Sequence, residues 1–321
     1  MARNVQIIGL FLAAGVLSLT GCQKKSSLEN AYSLEARMDA FTDSETSRTF
    51  PAFAEEICVV GDGEDDGTAL TAGAAGVLSL SGGEAVFARN MFDRMNPAST
   101  TKVMTALVAL KYGDLSDSVT VTDASVINEA GSSMAGVVPG DVLTLEQLLY
   151  GLLIPSGNDA ANAIAVHMSG SVEEFAKRMN EEAVKIGATG THFANANGLT
   201  DPDHYTTAYD LYLMFREALS YEKFREIIGA KSYTAVYQGA DGSEKTTVWN
   251  VGNYYMNGKA EAPDGLTVFG GKTGTTQAAG YCLIMGSETE DGSEYASVIM
   301  HAESRPDLYD DMTKILSKIG N

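Results

Sequence analysis

The sequence predicts a fold of the α/β (α+β) class, in which strands from both ends of the chain form an antiparallel sheet and a helical lobe is inserted between them. Three observations support this class. β-prone runs open the folded part of the chain, helical periodicity fills the middle, and β-prone runs return before one closing helix. Because a sheet must bury its apolar faces, we expect the early and late runs to pair and the helices to cover them.

The early strands are predicted from short apolar runs that are separated by glycine. They cover residues 57–60, 76–80 and 85–88. Ser81-Gly82-Gly83 lies between the last two runs and favours a hairpin, since glycine tolerates the positive φ of a tight turn. The acidic segment 61–67 lacks the ligand spacing of an EF-hand, so it is interpreted as a solvated loop.

The helical lobe and the late strands follow from periodicity and turn signals. Pro97 fixes φ just before the first helix. The predicted helices cover residues 99–110, 145–153, 159–168, 172–186 and 209–219. The predicted late strands cover residues 233–237, 246–251, 266–269, 281–285 and 295–300, and the closing helix covers 307–319. Glycine turns at 239–243 and 290–292 indicate two hairpins.

The composition favours a folded, acidic protein. Of its 321 residues, 45% are hydrophobic and 20% are charged, so the chain can bury a sizeable core. It carries 22 basic and 42 acidic residues, a formal net charge of −20. A surface of this sign repels nucleic acid and offers no polybasic patch for anionic lipid. We therefore expect no nucleic-acid partner.

The first residues are interpreted as an address rather than as part of the fold. Arg3 precedes an apolar run over residues 5–19, which is typical of a secretory signal. The run ends in Leu19-Thr20-Gly21-Cys22, which resembles a bacterial lipobox, so we expect cleavage before Cys22 and lipidation of its thiol. An ordinary signal peptide that happens to contain a cysteine is the alternative. Residues 1–21 are thus assigned to a lipoprotein signal peptide and the polar residues 22–54 to a lipid-anchored tether.

The remaining cysteines and the histidines predict no metal site. Cys58 and Cys282 lie in apolar stretches, so buried thiols are expected, with a bridge between the two as the alternative. The four histidines are scattered without metal-ligand spacing, which argues against a zinc peptidase.

Ser99-Thr100-Thr101-Lys102 is the first of three candidate catalytic motifs. A serine hydroxyl is a weak nucleophile and needs a neighbouring base. Residues three apart share a helix face, so Lys102 can place its amine near the Ser99 hydroxyl. Burial and nearby cations would keep that amine neutral and able to accept the proton. On its own, this spacing is common by chance.

The second motif is Ser156-Gly157-Asn158, between two predicted helices. The Ser156 hydroxyl could relay a proton to a leaving amine, and the Asn158 carboxamide could hold an amide backbone. Taken alone, the motif is typical of a helix N-cap.

The third motif is Lys272-Thr273-Gly274, which follows a predicted strand. An edge strand can bind an extended peptide, and Gly274 lets a ligand approach the backbone. Lys272, Thr273 and Thr275 could grip a terminal carboxylate. Taken alone, the motif indicates a strand end with a surface lysine.

Together, in this order, the motifs match the Ser-x-x-Lys, Ser-x-Asn and Lys-Thr-Gly set of penicillin-binding proteins and class A β-lactamases. The segments around them resemble the low-molecular-mass D-alanyl-D-alanine carboxypeptidases, serine peptidases of the DacA/S11 type. The similar strings are PASTTKVMTAL at 97–107, SGNDAA at 156–161, HYTTA at 204–208 and GYCL at 280–283. The resemblance covers about residues 55–318.

The resemblance implies a serine β-lactamase/transpeptidase-like fold and assigns residues 55–321 to a penicillin-binding catalytic domain. It implies that Ser99 is acylated, that Lys102 is the general base and that Ser156 relays a proton. Asn158 and the segment from Lys272 through Thr273 and Gly274 to Thr275 would bind substrate, and the N–H groups of Ser99 and Thr275 would form the oxyanion hole.

The implied activity is removal of the terminal D-alanine from peptidoglycan stem peptides through an acyl-enzyme, with β-lactams as inhibitors and without a cofactor. With the lipid anchor, the implied location is the outer face of the bacterial cytoplasmic membrane. A β-lactamase or a D,D-endopeptidase on the same fold, or a catalytically silent wall-binding lipoprotein, are the alternatives.

Two departures from the family pattern concern the substrate pocket. Relatives often carry an aromatic residue after Lys-Thr-Gly, where this chain has Thr275. Relatives often carry Asn-Pro-His-Gly-Leu, whereas residues 195–199 read Asn-Ala-Asn-Gly-Leu here.

Overall fold

A computed structural model describes residues 57–61 and 65–320, all within one contact unit, Pro51–Asn321. The expected signal peptide, tether and Cys22 lie outside the described residues. The described strands are β1 Cys58–Val59, β2 Ala74–Ser79, β3 Gly83–Glu84, β4 Phe87–Arg89, β5 Ser118–Thr120, β6 Val142–Thr144, β7 Ser232–Gln238, β8 Glu244–Asn250, β9 Leu266–Thr276, β10 Gly280–Thr289 and β11 Glu294–Ala302. The α-helices are α1 Lys102–Tyr112, α2 Leu145–Leu153, α3 Asn158–Ser169, α4 Val172–Lys185, α5 Ala208–Leu219, α6 Glu222–Gly229, α7 Tyr254–Asn257 and α8 Arg305–Leu316.

The main sheet joins both ends of the chain, as the sequence predicts. Its five strands run in the order β4-β2-β11-β10-β9, and every neighbouring pair is antiparallel. Successive residues of β11 point to opposite faces. Val298 and Met300 pack into the core shared with the helical lobe, whereas Ile299 packs with Leu308 and Met312 of α8. The sheet is therefore covered by helices on both faces.

The helical lobe lies between the two groups of strands. Its central helix is α1, in which all residues from Lys102 to Ala109 are buried. Side-chain caps define the starts of its neighbours, because the first N–H groups of a helix lack backbone partners. Thr144 and Gln147 form a capping box at α2, and Ser171 and Thr207 cap α4 and α5.

A second, four-stranded sheet has the order β5-β6-β7-β8. The predicted hairpin of β7 and β8 is present, but it pairs with β6 only at Val142 and Gln238 rather than with the main sheet. Sequence patterning does not separate this hairpin from the main sheet, because β5 and β6 are three residues each and carry little periodicity.

Two further findings bear on the sequence interpretations. Cys58 and Cys282 are both buried and are not joined by a disulfide. Burial raises the pKa of the Cys282 thiol to about 11. Among the described residues, no helix combines the length and the apolar composition needed to cross a membrane.

Candidate active site

Ser99 lies in a 3-10 turn, Ala98–Thr101, that leads directly into α1. The sequence predicted a regular helix from Ser99; the tighter 3-10 geometry instead brings residues three apart almost into line. Ala98 has a positive φ of 48°, and its carbonyl accepts a hydrogen bond from Thr101 Oγ1 at 2.8 Å. Gly198 packs against this turn, where an added Cβ would lie 1.9 Å from the Ala98 carbonyl oxygen. Only glycine fits there, so the segment around Gly198 packs closely against the turn that carries Ser99 and supports it.

Lys102 is fully buried at the first position of α1. Its Nζ lies 2.8 Å from Ser99 Oγ, 2.6 Å from Asn158 Oδ1 and 2.6 Å from the Asn197 carbonyl oxygen. Burial holds the pKa of Lys102 well below its usual value, and the charge of Lys272 lowers it further, against a smaller opposite effect of Asp159. The amine can therefore be neutral and accept the Ser99 proton.

Ser156 and Lys272 form a second pair. Ser156 has a φ of 66°, a conformation that non-glycine residues adopt rarely and that often marks functional sites. Lys272 Nζ donates to Ser156 Oγ at 2.8 Å and to the Thr273 carbonyl at 2.7 Å. Lys272 is 1% exposed, and burial lowers its pKa to about 7. The Lys272 amine, which is partly protonated near pH 7, thus lies within hydrogen-bond distance of a second hydroxyl.

The Lys-Thr-Gly segment lies inside β9, not at its end as predicted. β9 is an edge strand of the main sheet and pairs with β10, with Gly274 opposite Cys282 and Thr275 opposite Tyr281. A Cβ on Gly274 would lie 2.9 Å from the Ser99 backbone nitrogen and 3.0 Å from the Pro97 carbonyl oxygen. Glycine at this position therefore allows the strand to pack directly against the turn that carries Ser99.

These segments border one open cleft of about 230 Å³. Ser99, Ser156, Thr273, Gly274 and Thr275 line it, whereas Lys102, Lys272 and Asn158 are buried behind them. The structure thus brings all eight residues that the motifs singled out to one place. Their catalytic and binding roles stay predictions.

Other lining residues were missed by the sequence analysis. Arg305 opens α8, Asn250 ends β8, and Ser133, Tyr281 and Tyr309 complete the wall. Ser304-Arg305-Pro306 is typical of a helix start and carries no sign of a binding site. Arg305 reaches the cleft only because α8 packs on β10 and β11 of the main sheet, which a local pattern does not reveal.

Comparison with known proteins agrees with this geometry. A family model for D-alanyl-D-alanine carboxypeptidases, peptidase family S11, matches residues 63–304. The D-alanyl-D-alanine carboxypeptidase DacF of Bacillus subtilis is 33% identical over 230 residues, which cover 70% of this chain and 55% of that protein. This chain therefore spans little more than half the length of that relative.

Two Streptomyces relatives match over more of their length. The D-alanyl-D-alanine carboxypeptidase of Streptomyces sp. (strain K15) is 33% identical over 248 residues, 73% of this chain and 82% of that protein. The crystal structure of the Streptomyces K15 DD-transpeptidase matches with a TM-score of 0.72 at 30% identity and covers 78% of this chain and 97% of that one. The fold and the family that the motifs predicted are both confirmed, and the chain belongs to the S11 family of D-alanyl-D-alanine carboxypeptidases.

Proposed function

We propose that this protein is a serine D-alanyl-D-alanine carboxypeptidase that removes the terminal D-alanine from peptidoglycan stem peptides through an acyl-enzyme. The observation that carries the proposal is the 2.8 Å contact between Ser99 Oγ and the buried Nζ of Lys102, whose pKa is held well below its usual value. Family membership supports it, as does the cleft shared by Ser99 and Ser156, the latter of which accepts a hydrogen bond from Lys272.

Acylation begins when Lys102 takes the Ser99 proton and Oγ attacks the carbonyl carbon of the penultimate D-alanine. The N–H groups of Ser99 and Thr275 stabilise the oxyanion. As the C–N bond breaks, Ser156 gives its proton to the leaving amine and takes one from Lys272, which lies 2.8 Å away. D-Alanine leaves, Lys102 is protonated and Lys272 is neutral.

Deacylation reverses these proton transfers with water. Water attacks the ester carbonyl while its proton passes through Ser156 to Lys272. Lys102 returns its proton to Ser99 Oγ as the ester bond breaks. Both lysines then regain their starting protonation states, so the cycle balances.

Substrate recognition rests on charge and on the open edge of β9. An extended peptide can pair with the backbone of this edge strand. Arg305, Thr273 and Thr275 line the cleft, where we expect them to bind its terminal carboxylate, and the buried Lys272 adds positive charge behind them. None of the cleft-lining side chains in the described part of the chain is acidic, which favours an anionic peptide end.

A direct test is mass spectrometry of the purified protein with benzylpenicillin and with an acyl-D-alanyl-D-alanine peptide. We expect one penicillin adduct on Ser99 and release of free D-alanine, both lost in Ser99→Ala. Penicillin turnover without D-alanine release would favour a β-lactamase instead. Penicillin binding without any covalent adduct would favour a silent wall-binding protein.

A second candidate activity is transfer of the acyl group to an amine, because one matching structure is a DD-transpeptidase. Adding glycine as an acceptor separates the two activities. A carboxypeptidase gives mainly the shortened peptide, whereas a transpeptidase gives the peptide joined to the acceptor.

We also propose that the enzyme acts outside the cytoplasm, as a lipoprotein on the outer face of the membrane. The string Leu19-Thr20-Gly21-Cys22 after an apolar run supports this location, as does membership of a cell-wall peptidase family. Metabolic labelling with a clickable palmitate analogue tests it. We expect labelling of the full-length protein and none of Cys22→Ser.

A further inference from the structure

The three contacts of Lys102 determine the direction of its lone pair. Asn158 Oδ1 and the Asn197 carbonyl oxygen, each 2.6 Å from Nζ, can only accept hydrogen bonds. A neutral amine has two N–H bonds and one lone pair. When the two oxygens take both N–H bonds, the lone pair is left facing Ser99 Oγ at 2.8 Å. The two acceptors therefore select the form of Lys102 that can take a proton from Ser99.

The Asn197 acceptor is held in place by its own side chain. Asn197 Nδ2 donates to Asn162 Oδ1 at 3.0 Å, and Asn197 Oδ1 accepts from the Leu199 backbone N–H at 2.9 Å. Asn162 and Asn197 are 7% and 4% exposed, so this contact is shielded from water. Losing the Asn162 acceptor would leave a buried donor unpaired and free the Asn197 backbone to move.

Helix α3 carries both controls over Lys102. Asn158 and Asn162 lie four residues apart and so share one face of the helix. Asn158 accepts from Lys102 directly, whereas Asn162 acts one contact further away, through Asn197. Residue 197 is also where the chain departs from the histidine that relatives often carry.

We propose that Asn162 is a positioning residue for Lys102, which orders the Asn197 carbonyl so that the lone pair of the base points at Ser99. This inference rests on the proposed function and adds to it a residue that touches neither substrate nor nucleophile.

The charged groups that face Lys102 are Lys272 on β9, which lowers its pKa, and Asp159 on α3, which raises it. His204, in the loop before α5, is buried and has its pKa lowered to about 4, so it is neutral near pH 7. In Asn162→Asp, a carboxylate on the same face of α3 would raise the pKa of Lys102. That variant can still accept from Asn197, so it separates charge from geometry.

The test measures acylation by a fluorescent penicillin in stopped flow, over a range of pH, for two variants and a control. We expect Asn162→Leu to lower the acylation rate constant about 10- to 100-fold with less than about a twofold change in the prior binding constant. We expect Asn162→Asp to shift the rising limb of the pH profile to higher pH by about one pH unit. Its maximum acylation rate should stay within about tenfold of that of the wild type.

Asn180→Leu is the matched control, because Asn180 tethers Phe193 by two hydrogen bonds but does not reach Lys102. We expect it to lower thermal stability and to leave acylation within about twofold. Equal rate loss in Asn162→Leu and Asn180→Leu, or an unshifted profile in Asn162→Asp, would overturn the inference alone. If Asn162→Leu does not fold, the pH profile of acylation in Asn162→Asp tests the inference. A wild-type protein that penicillin does not acylate would overturn the proposed function as well.

Discussion

Lys102 and Lys272 are chemically identical side chains that are both buried behind the cleft. Burial lowers the pKa of both, and the charge of Lys272 lowers that of Lys102 further. A charge on Lys272 therefore favours the neutral form of Lys102, which is the form that the proposed mechanism needs. Two titratable groups whose surroundings separate their pKa values are the usual basis for assigning a base and an acid.

We expect a bell-shaped pH dependence of Ser99 acylation. The rate rises with pH as Lys102 loses its proton, and it falls as pH rises through about 7, where Lys272 loses its charge. In Lys272→Gln the falling limb disappears, and the rising limb moves to higher pH because a cation near Lys102 is lost. Stopped-flow acylation from pH 5 to 10 measures both limbs. A falling limb that persists in Lys272→Gln would assign it to another group.

Asp159 shows how one buried carboxylate can hold the loop that follows Ser133, a residue that lines the cleft. It accepts hydrogen bonds from the backbone N–H groups of Ala135, Gly136, Val137 and Ala160 at 2.8 to 3.0 Å. In Asp159→Asn the negative charge is lost, and the side-chain NH2 group then faces backbone N–H groups, which are also donors. We expect a loss of about 2–4 kcal/mol in the free energy of unfolding, measured by urea denaturation. Asp241→Asn, in an exposed turn, should change it by less than about 0.5 kcal/mol.

At the scale of elements, periodicity predicted the long helices and the hairpins well. The predicted helix over 145–153 coincides with α2, and the other helices of the lobe agree within a few residues. Helix α6 was missed because its N-cap residue, Tyr221, makes no side-chain cap, and because eight residues are too few to show a clear helical periodicity. The extension of β9 through Lys272 was missed because three glycines, Gly270, Gly271 and Gly274, lower its β propensity.

The motifs predicted the residues at the centre of the site more completely than the residues around them. Ser99, Lys102 and Ser156 were found because their spacing has a chemical reason. Asn197 and Arg305 were not, because each reaches the site through tertiary contacts between distant segments. A motif predicts which groups react, whereas packing determines which other groups hold them in place.

The close approach of β9 to the turn that carries Ser99 gives a test at the element scale. In Gly274→Ala the new methyl group would meet backbone atoms of residues 97, 99 and 100, so β9 and the turn must separate. We expect acylation by penicillin to fall about 10- to 100-fold and stability to fall by about 1–3 kcal/mol. Gly187→Ala is the control, since it strains a left-handed residue after α4 and should cost about 1 kcal/mol without affecting acylation. An equal loss of acylation rate in both variants would indicate that lower stability, and not a displaced β9, causes the loss.

At the scale of the whole molecule, α8 and the residues after it hold the segment 66–72, which leads into β2. The buried carboxylate of Asp311 accepts from the Thr71 N–H at 2.8 Å, the Thr71 hydroxyl at 2.9 Å and the Ala72 N–H at 3.0 Å. Lys318 and Asp66 form a further ion pair across the same contact. None of these five residues lines the cleft, although Arg305, Leu308 and Tyr309 at the start of the same helix do.

We expect Asp311→Asn to lower the free energy of unfolding by about 2–3 kcal/mol and to leave the acylation rate at 25 °C unchanged. Its neighbour Asp310 is exposed and pairs with Lys314, so Asp310→Asn should cost less than about 1 kcal/mol. Differential scanning calorimetry and penicillin acylation on the same samples check both. A reduced acylation rate in Asp311→Asn would show that α8 also controls the cleft.

The order of strands in the main sheet has a consequence for the growing polypeptide. Ser99 and Ser156 leave the ribosome early, and Lys272 follows on β9. Yet β9 reaches β2 only through β10 and β11, so its place beside Ser99 is not fixed until residue 302 has been made. We therefore expect a chain truncated after β9 not to be acylated by penicillin, although it contains all three motifs.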